Sequence, residues 1–533
     1  MIKEVKEAKE TKEIKQAISL FVSFCIIMTL MSCVSSTTGN TTVSAPGVET
    51  KEFETTHGEK GDSAMQSEQK ETTTISEQKN SMTIDEQKDT TLHSQQGDKT
   101  AHSQQGDTTT PGKQEAGITK TIYNASNFSV SMLNAEAKEL EAPKYGEQEE
   151  NVRAAAGGAN DFAFRLSAAL VKNTGYSSFV CSPYSVWLPL AALVNATGAR
   201  YKDALLSAIG ASGVSETDIN RAASRMLYDL TNMRDIEYEE FYYNPLKIAN
   251  AIFVGNDVTL KKEFAKTFMD YYRGNAINVD FSSRDAVDAV NQWASENTDG
   301  LIENIIQEFD PSTVAAIANA IYYSDRWESE FNSENTTEGV FHAPSGDTTA
   351  FYMLRERDAQ MYYEDDRVQA MPLQLRTGGG MCIILPKKGA AVELLSTMTN
   401  EYFLEIQADS IPTSGKLLLP RFIIESTLGS LGETLVQLGV PLFDPSAAPL
   451  TGGVIEENIP VWLSDAIQKA MIKVDEKGTT AAAVTVMAME GASMPEPTKP
   501  FEMICDKPFV FILYQYTYDG GYQVLFTGVV NEP

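Results

Sequence analysis

Apolar and polar positions alternate between two regimes along this 533-residue chain, and the change falls near Asn151. Lys3, Lys6, Lys9, Lys12 and Lys15 precede an apolar run, AISLFVSFCIIMTL. Charge followed by a run too short for a comfortable membrane span is the order of a secretory signal peptide, so residues 1–33 are set apart from the fold. From Val34 to about Glu150 the chain is rich in Thr, Ser, Gln, Glu, Lys and Gly and poor in aromatics, a composition that cannot bury enough surface to fold. SEQK recurs at Ser67 and Ser76, and HSQQGD at His93 and His102, as in low-complexity tracts. Residues 34–150 are therefore expected to be a disordered linker, with a coil-like reach of roughly 60 Å.

Residues 151–533 alternate helical and strand periods without a Pro/Gly/Ser-rich break and are read as one domain. Asp161 is the expected N-cap of FAFRLSAALVKN, whose Phe162, Leu166, Ala169 and Leu170 share a helical face. AIFV (251–254), MCIILP (381–386), KLLLPRFII (416–424), PFVFILYQY (508–516) and QVLFTGVV (523–530) read as strands, and Asp519-Gly520-Gly521 reads as a hairpin turn. Several of these runs are apolar at consecutive residues, as in a sheet covered on both faces. The fold class expected is α+β, with a large central mixed sheet and surrounding helices.

Along GTTAAAVTVMAM, from Gly478, one alternate set is Thr479, Ala481, Ala483, Thr485, Met487 and Met489. The other is Thr480, Ala482, Val484, Val486 and Ala488, and neither set carries a charge. Such a segment suits a strand lying between two others, whereas the Gly, Pro and acidic residues around it read as an exposed loop. An Ala-rich helix is the competing reading, weakened by Val484, Thr485, Val486 and the nearby Gly478 and Gly491. A segment with two states, exposed and then inserted, satisfies both patterns.

A net charge of -30 and a pI near 4.6 leave no basic stripe for a nucleic acid or another polyanion. Catalysis is poorly served, because His342 is the only histidine after residue 150 and no zincin, α/β-hydrolase or P-loop motif occurs. A Ser-Lys arrangement is left open by sequence alone. Gly378-Gly379-Gly380 reads as a loop and His342 as a residue of a polar surface turn. His57, His93 and His102 are dispersed in the linker, so no metal site, cofactor or catalytic residue is assigned. Cys181, Cys382 and Cys505 occur singly in apolar contexts and read as small buried hydrophobes.

Leu30-Met31-Ser32-Cys33 resembles a bacterial lipobox, which implies a lipidated Cys33 and a domain held at the cell envelope, in the periplasm or on the cell surface. Each buried acyl methylene contributes about 0.8 kcal/mol, so several chains would anchor the protein without a spanning helix.

Seven segments, in order over residues 155–533, resemble the serpin family. They are SPYSVWLPLAALVNATGA (Ser182–Ala199), NQWASENTDGLI (Asn291–Ile302), NAIYYSDRWESEF (Asn319–Phe331), LPRF (Leu419–Phe422), KAMIKVDEKGTTAAA (Lys469–Ala483), DKPFVF (Asp506–Phe511) and LFTGVVNEP (Leu525–Pro533). The resemblance implies a serpin fold with an exposed reactive-centre loop. It also implies a bait mechanism, in which a serine or cysteine protease cleaves the loop, is acylated, and is carried off as the loop enters the sheet. Loop insertion of this kind is an established property of the family, a case of β-strand addition accompanied by release of stored strain. On this pattern Glu476, Gly478, Thr479, Thr480, Ala481, Ala482 and Ala483 form the hinge, and the reactive bond joins Ala492 to Ser493. Ser182, Ser185, Asn319 and Gln468 would form the cluster where the sheet opens, with Gln468 replacing the family's histidine. Arg421 and Glu476 would form an ion pair beside the insertion path, where Trp327 packs. Ala492 implies elastase-like targets, and the inhibitor is expected to be a monomer; a non-inhibitory binding protein or a surface adhesin is the alternative.

Overall fold

The computed structural model describes residues 117–123, 128–134, 137–142, 150–231, 246–298, 300–310, 312–428, 431–479, 499–517 and 520–533. The expected signal peptide, Cys33 and most of the linker lie outside these residues. The chain begins with strands β1 (Gly117–Tyr123) and β2 (Phe128–Asn134). Helix α1 (Glu150–Val171), strand β3 (Phe179–Cys181) and helices α2 (Pro183–Leu193), α3 (Ala199–Ala208) and α4 (Glu216–Thr231) follow. Next come β4 (Leu246–Gly255), α5 (Lys262–Tyr272), β5 (Gly274–Val279), α6 (Arg284–Asn297) and β6 (Ala315–Tyr323). A run of strands then forms β7 (Thr337–Ala343), β8 (Gly346–Glu364), β9 (Val368–Gln374) and β10 (Gly379–Pro386). Helices α7 (Ala391–Thr397) and α8 (Asn400–Asp409) lead to β11 (Ile411–Pro420), β12 (Phe422–Leu428) and α9 (Gly432–Gln437). The chain closes with β13 (Asp465–Val474), β14 (Phe501–Ile504), β15 (Phe509–Tyr516) and β16 (Tyr522–Val530).

A seven-stranded sheet has the order β1-β2-β5-β4-β6-β13-β12, and a second path runs β14-β11-β8-β9-β10-β15-β16-β3 with β7 on β8. The α+β class expected from the sequence is therefore the observed one. Period-two alternation sorts the first sheet's two faces. Ala249, Ala251, Ala316, Ala318 and Ala320 face one way and pack with Ala286, Val290 and Trp293 of α6, the small side chains letting the helix lie close. Ile252, Ile317 and Ile321 face the main core, which contains α1 and α2. Every residue of α2 is buried, as a helix apolar on all sides requires.

Five local expectations change. α1 starts eleven residues before Asp161, because Val152, Ala155 and Ala159 continue its buried stripe; Asp161 sits exposed in mid-helix and caps nothing. KLLLPRFII is two strands in different sheets, broken where Pro420 lacks a donor and Arg421 turns outward. Gly379 and Gly380 belong to β10, where Tyr514 and Gln515 of β15 leave no room for a Cβ, and His342 lies within β7, paired with Asp347. Within the expected linker, residues 117–123 and 128–134 pair as strands, because GITKTIY and FSVSMLN carry β-branched and alternating apolar positions that mean composition hides. The three cysteines are buried, as expected. Among the described residues no helix is long and apolar enough to cross a membrane.

Candidate functional site

The centre of the first sheet holds a seam. β6 and β13 pair directly and in parallel, from Asp465↔Ala316 to Met471↔Tyr322, although β4 and β12 pair antiparallel with them on either side. Beyond β13 the chain reverses in a tight turn, closed by hydrogen bonds between Asp475 and Gly478 in both directions at 2.9 and 3.3 Å. Gly478 then forms an antiparallel bridge with Arg326, just past the end of β6. Its φ of +152° and the backbone of Asp325, whose oxygen would lie 2.1 Å from an added Cβ, leave glycine as the residue that fits.

Thr479, the last described residue before the gap at 480–498, is already seated at the mouth of this seam and fully buried. Its amide donates to the Asp325 carbonyl at 2.7 Å, and its Oγ1 accepts from the Asp325 amide at 2.6 Å. The Asp325 carboxylate is itself buried and accepts from Thr377 Oγ1 at 2.6 Å, the Arg326 amide at 2.7 Å and Tyr323 OH at 3.2 Å. Burial pushes its pKa above the usual range, and those donors offset the rise only in part.

Glu476 and Arg421 meet beside the turn, as the resemblance implies. Arg421 Nε lies 2.8 and 2.9 Å from the two carboxylate oxygens, and Thr336 Oγ1 donates to Oε1 at 2.5 Å. Burial opposes ionisation of Glu476, but the Arg421 and Thr336 hydrogen bonds outweigh it and hold the carboxyl below its ordinary value. Trp327 is buried against this turn, its backbone amide donating to Lys477 O and its indole Nε1 to Asp475 O, each at 2.9 Å.

Halfway down the seam lies the second group. Gln468 Oε1 accepts from the Ser182 amide at 2.9 Å, while Nε2 donates to Ser182 O and Ser185 Oγ, both at 2.7 Å. Ser182 Oγ donates to Leu525 O at 2.7 Å, tying the N-terminus of α2 to β16. One carboxamide thus satisfies a donor and two acceptors at fixed charge. Asn319 stands level with Gln468 across the seam but turns the other way: its Nδ2 donates to Asn250 Oδ1 at 2.6 Å and to Ala249 O at 3.2 Å. No hydrogen bond joins it to Ser182, Ser185 or Gln468, and its buried Oδ1 is unpartnered. Asp325, Thr377, Tyr323 and Asn250 escaped the sequence reading; the only signal was Asp325, an acid two residues after a strand whose one polar amide is Asn319.

Thr480, Ala481, Ala482, Ala483, Ala492 and Ser493 lie outside the described residues. Among those described, no group of His, Cys, Asp and Glu is arranged to hold a metal ion.

A sequence model described as Serpin (serine protease inhibitor) matches residues 157–533. Mouse alpha-1-antitrypsin 1-4 is 28% identical over 378 residues, covering 70% of this chain and 87% of that protein. The crystal structure of Serpin48, a highly specific serpin of the insect Tenebrio molitor, superposes with a TM-score of 0.61 at 25% identity, over 73% of this chain and all of that one. Human thyroxine-binding globulin complexed with its hormone superposes at 0.62 with 22% identity, over 72% and 99% of the two chains.

Proposed function

The chain belongs to the serpin family, and on that premise we propose that it inhibits proteases as a suicide substrate. The observation that carries this reading is the parallel β6–β13 seam with the chain turned back into its mouth. A strand continuing downward from Thr479 would run antiparallel to both neighbours, exchanging one parallel ladder for two antiparallel ones, which are the more stable per residue. β6 spans nine residues, so the seam offers roughly 30 Å of ladder. The uncharged faces of residues 479–489 would meet no charge penalty on entry. The closed sheet is then a metastable state, and loop cleavage releases it.

The reactive bond is Ala492–Ser493 and the target an elastase-like protease, because an Ala before the cut fits a shallow primary pocket, and trypsin-like enzymes are excluded because no Lys or Arg lies between Lys477 and Lys499. The name of the mouse antitrypsin supports the partner class. The inhibitor works as a monomer, tethered to the cell envelope through Cys33. Incubation with an elastase-type protease is expected to give a covalent complex that survives boiling in detergent, with cleavage after Ala492. Nicking without a complex would refute inhibition and leave a binding protein. Labelling by radioactive palmitate, abolished in Cys33→Ser, tests the anchor.

A further inference from the structure

At the end of the first sheet opposite Gly478 and Thr479 lies a cleft of about 670 Å³, the size of a small-molecule site. It forms where β4 and β5, paired in parallel through Gly255↔Val279, end side by side and where the chain enters β6 and β13. Its walls are mostly apolar and include Phe281, Val314, Val461 and half-buried Trp462, with exposed Ile459 at the opening. Hydrogen bonds hold these walls in place without a ligand. Asn278 Nδ2 donates to Gly255 O at 2.7 Å and to Val258 O at 3.0 Å, which fixes the turn carrying Asp257. The Val314 amide donates to Ser464 Oγ at 3.1 Å and the Ser464 amide to Ala315 O at 2.8 Å, tying together the approaches to β6 and β13. Phe281 stands edge-on to Phe309, their ring centres 4.9 Å apart.

The charged groups on this cleft have one sign. Asp257 and Asp280 line it, and no Lys or Arg does. Asp257 is exposed and has no hydrogen bond or ion pair among the described residues. Asp280 Oδ1 accepts from the Ser282 amide at 3.0 Å and from Ser282 Oγ at 2.6 Å, neither of which brings a positive charge. Lys261 and Arg284, close by in sequence, are turned to other partners: Lys261 Nζ donates to Gly452 O at 2.8 Å and Arg284 Nη1 to Gln307 O at 3.1 Å. The net charge of -30 over the whole chain adds a field of the same sign. Apolar walls favour an apolar body, uncompensated carboxylates favour a cation, and the indole of Trp462 is the aromatic ring that attracts an ammonium most strongly.

We propose that this cleft binds a small organic cation with an apolar body, its ammonium group beside Asp257 and Asp280 and its body against Phe281, Val314 and Val461. The site stands whether or not the loop inserts. The full chain is titrated with octyltrimethylammonium, octyl glucoside and octyl sulfate, each below its micelle concentration, by calorimetry and by tryptophan emission. Trp187, Trp293 and Trp327 are buried, so Trp462 is the reporter. The cation is expected to bind at least tenfold more tightly than the neutral and anionic probes, with an emission change that is absent in Trp462→Phe. Asp257→Asn and Asp280→Asn should each weaken the cation about five- to tenfold, as loss of one unit charge near 4 Å would, and leave octyl glucoside within twofold. Glu356→Gln, on β8, should change neither. Equal affinity for the three probes, tighter binding of octyl sulfate, or no binding of the cation at millimolar concentration would overturn the site. So would unchanged cation affinity in both Asp variants, or a loss as large in Glu356→Gln, which would show an effect of net charge alone.

Discussion

Replacing Gln468 by Leu removes the side chain that fastens β13 to α2 while keeping nearly its volume. Three hydrogen bonds are lost, but the consequences differ by partner. Ser182 O and Ser185 Oγ retain each other at 3.0 Å. The Ser182 amide has no other partner among the hydrogen bonds observed, and the residue is fully buried. One orphaned amide costs about 1–3 kcal/mol and the two lost donations about 1 kcal/mol more, so about 2–4 kcal/mol in all. For a domain of this size that lowers the melting temperature on the order of 3–5 °C. Gln468→Glu is the sharper probe. It keeps the acceptor but points a buried carboxylate at Ser182 O, so it should be less stable than Leu at neutral pH. Burial raises its pKa, so the folded state of that variant binds a proton more tightly than the unfolded state, and its stability should climb as the pH falls. Scanning calorimetry at one fixed heating rate, at pH 7.5 and pH 5.5, reads both effects. Equal melting of the Leu variant and the unaltered chain, or a Glu variant indifferent to pH, would refute the role assigned to this carboxamide.

Other perturbations probe the seam's mouth and the core. Gly478→Ala forces a Cβ onto the Asp325 backbone at a φ of +152°, so the turn must shift and Thr479 must leave its site; a loss of about 1–3 kcal/mol in urea unfolding is expected. Glu476, whose pKa is depressed in the fold, stabilises the protein above the ordinary carboxylate pKa, and that contribution is lost as the pH falls through and below it. In Glu476→Gln the acid-induced loss of stability below the ordinary carboxylate pKa should shrink, and an unchanged acid profile would count against the pair. Burial pushes the Cys181 thiol up to about 11 and raises Cys382 and Cys505 as well. Thiol reagents should therefore label all three only at the rate of unfolding, and fast labelling at pH 8 would contradict their burial.

Local pattern determined the class of this protein. Consecutive apolar runs announced a sheet covered on both faces, because burial pattern is a property of a residue and its near neighbours. The ion pair of Arg421 with Glu476 was also legible, through residues that matched a known pattern. Tertiary structure decided what depends on partners far apart in sequence. Gln468 meets Ser182 and Ser185 across nearly three hundred positions, and Asn319, level with it on the next strand, bonds to Asn250 instead. Asp325 became the seat of Thr479 only because the chain turns back there. The strands at 117–134 gave no sign in composition, since a hairpin with little core of its own gains order chiefly from the sheet edge that receives it. Periodicity fixes which faces a chain can bury, whereas pairing and register fix which residues meet there.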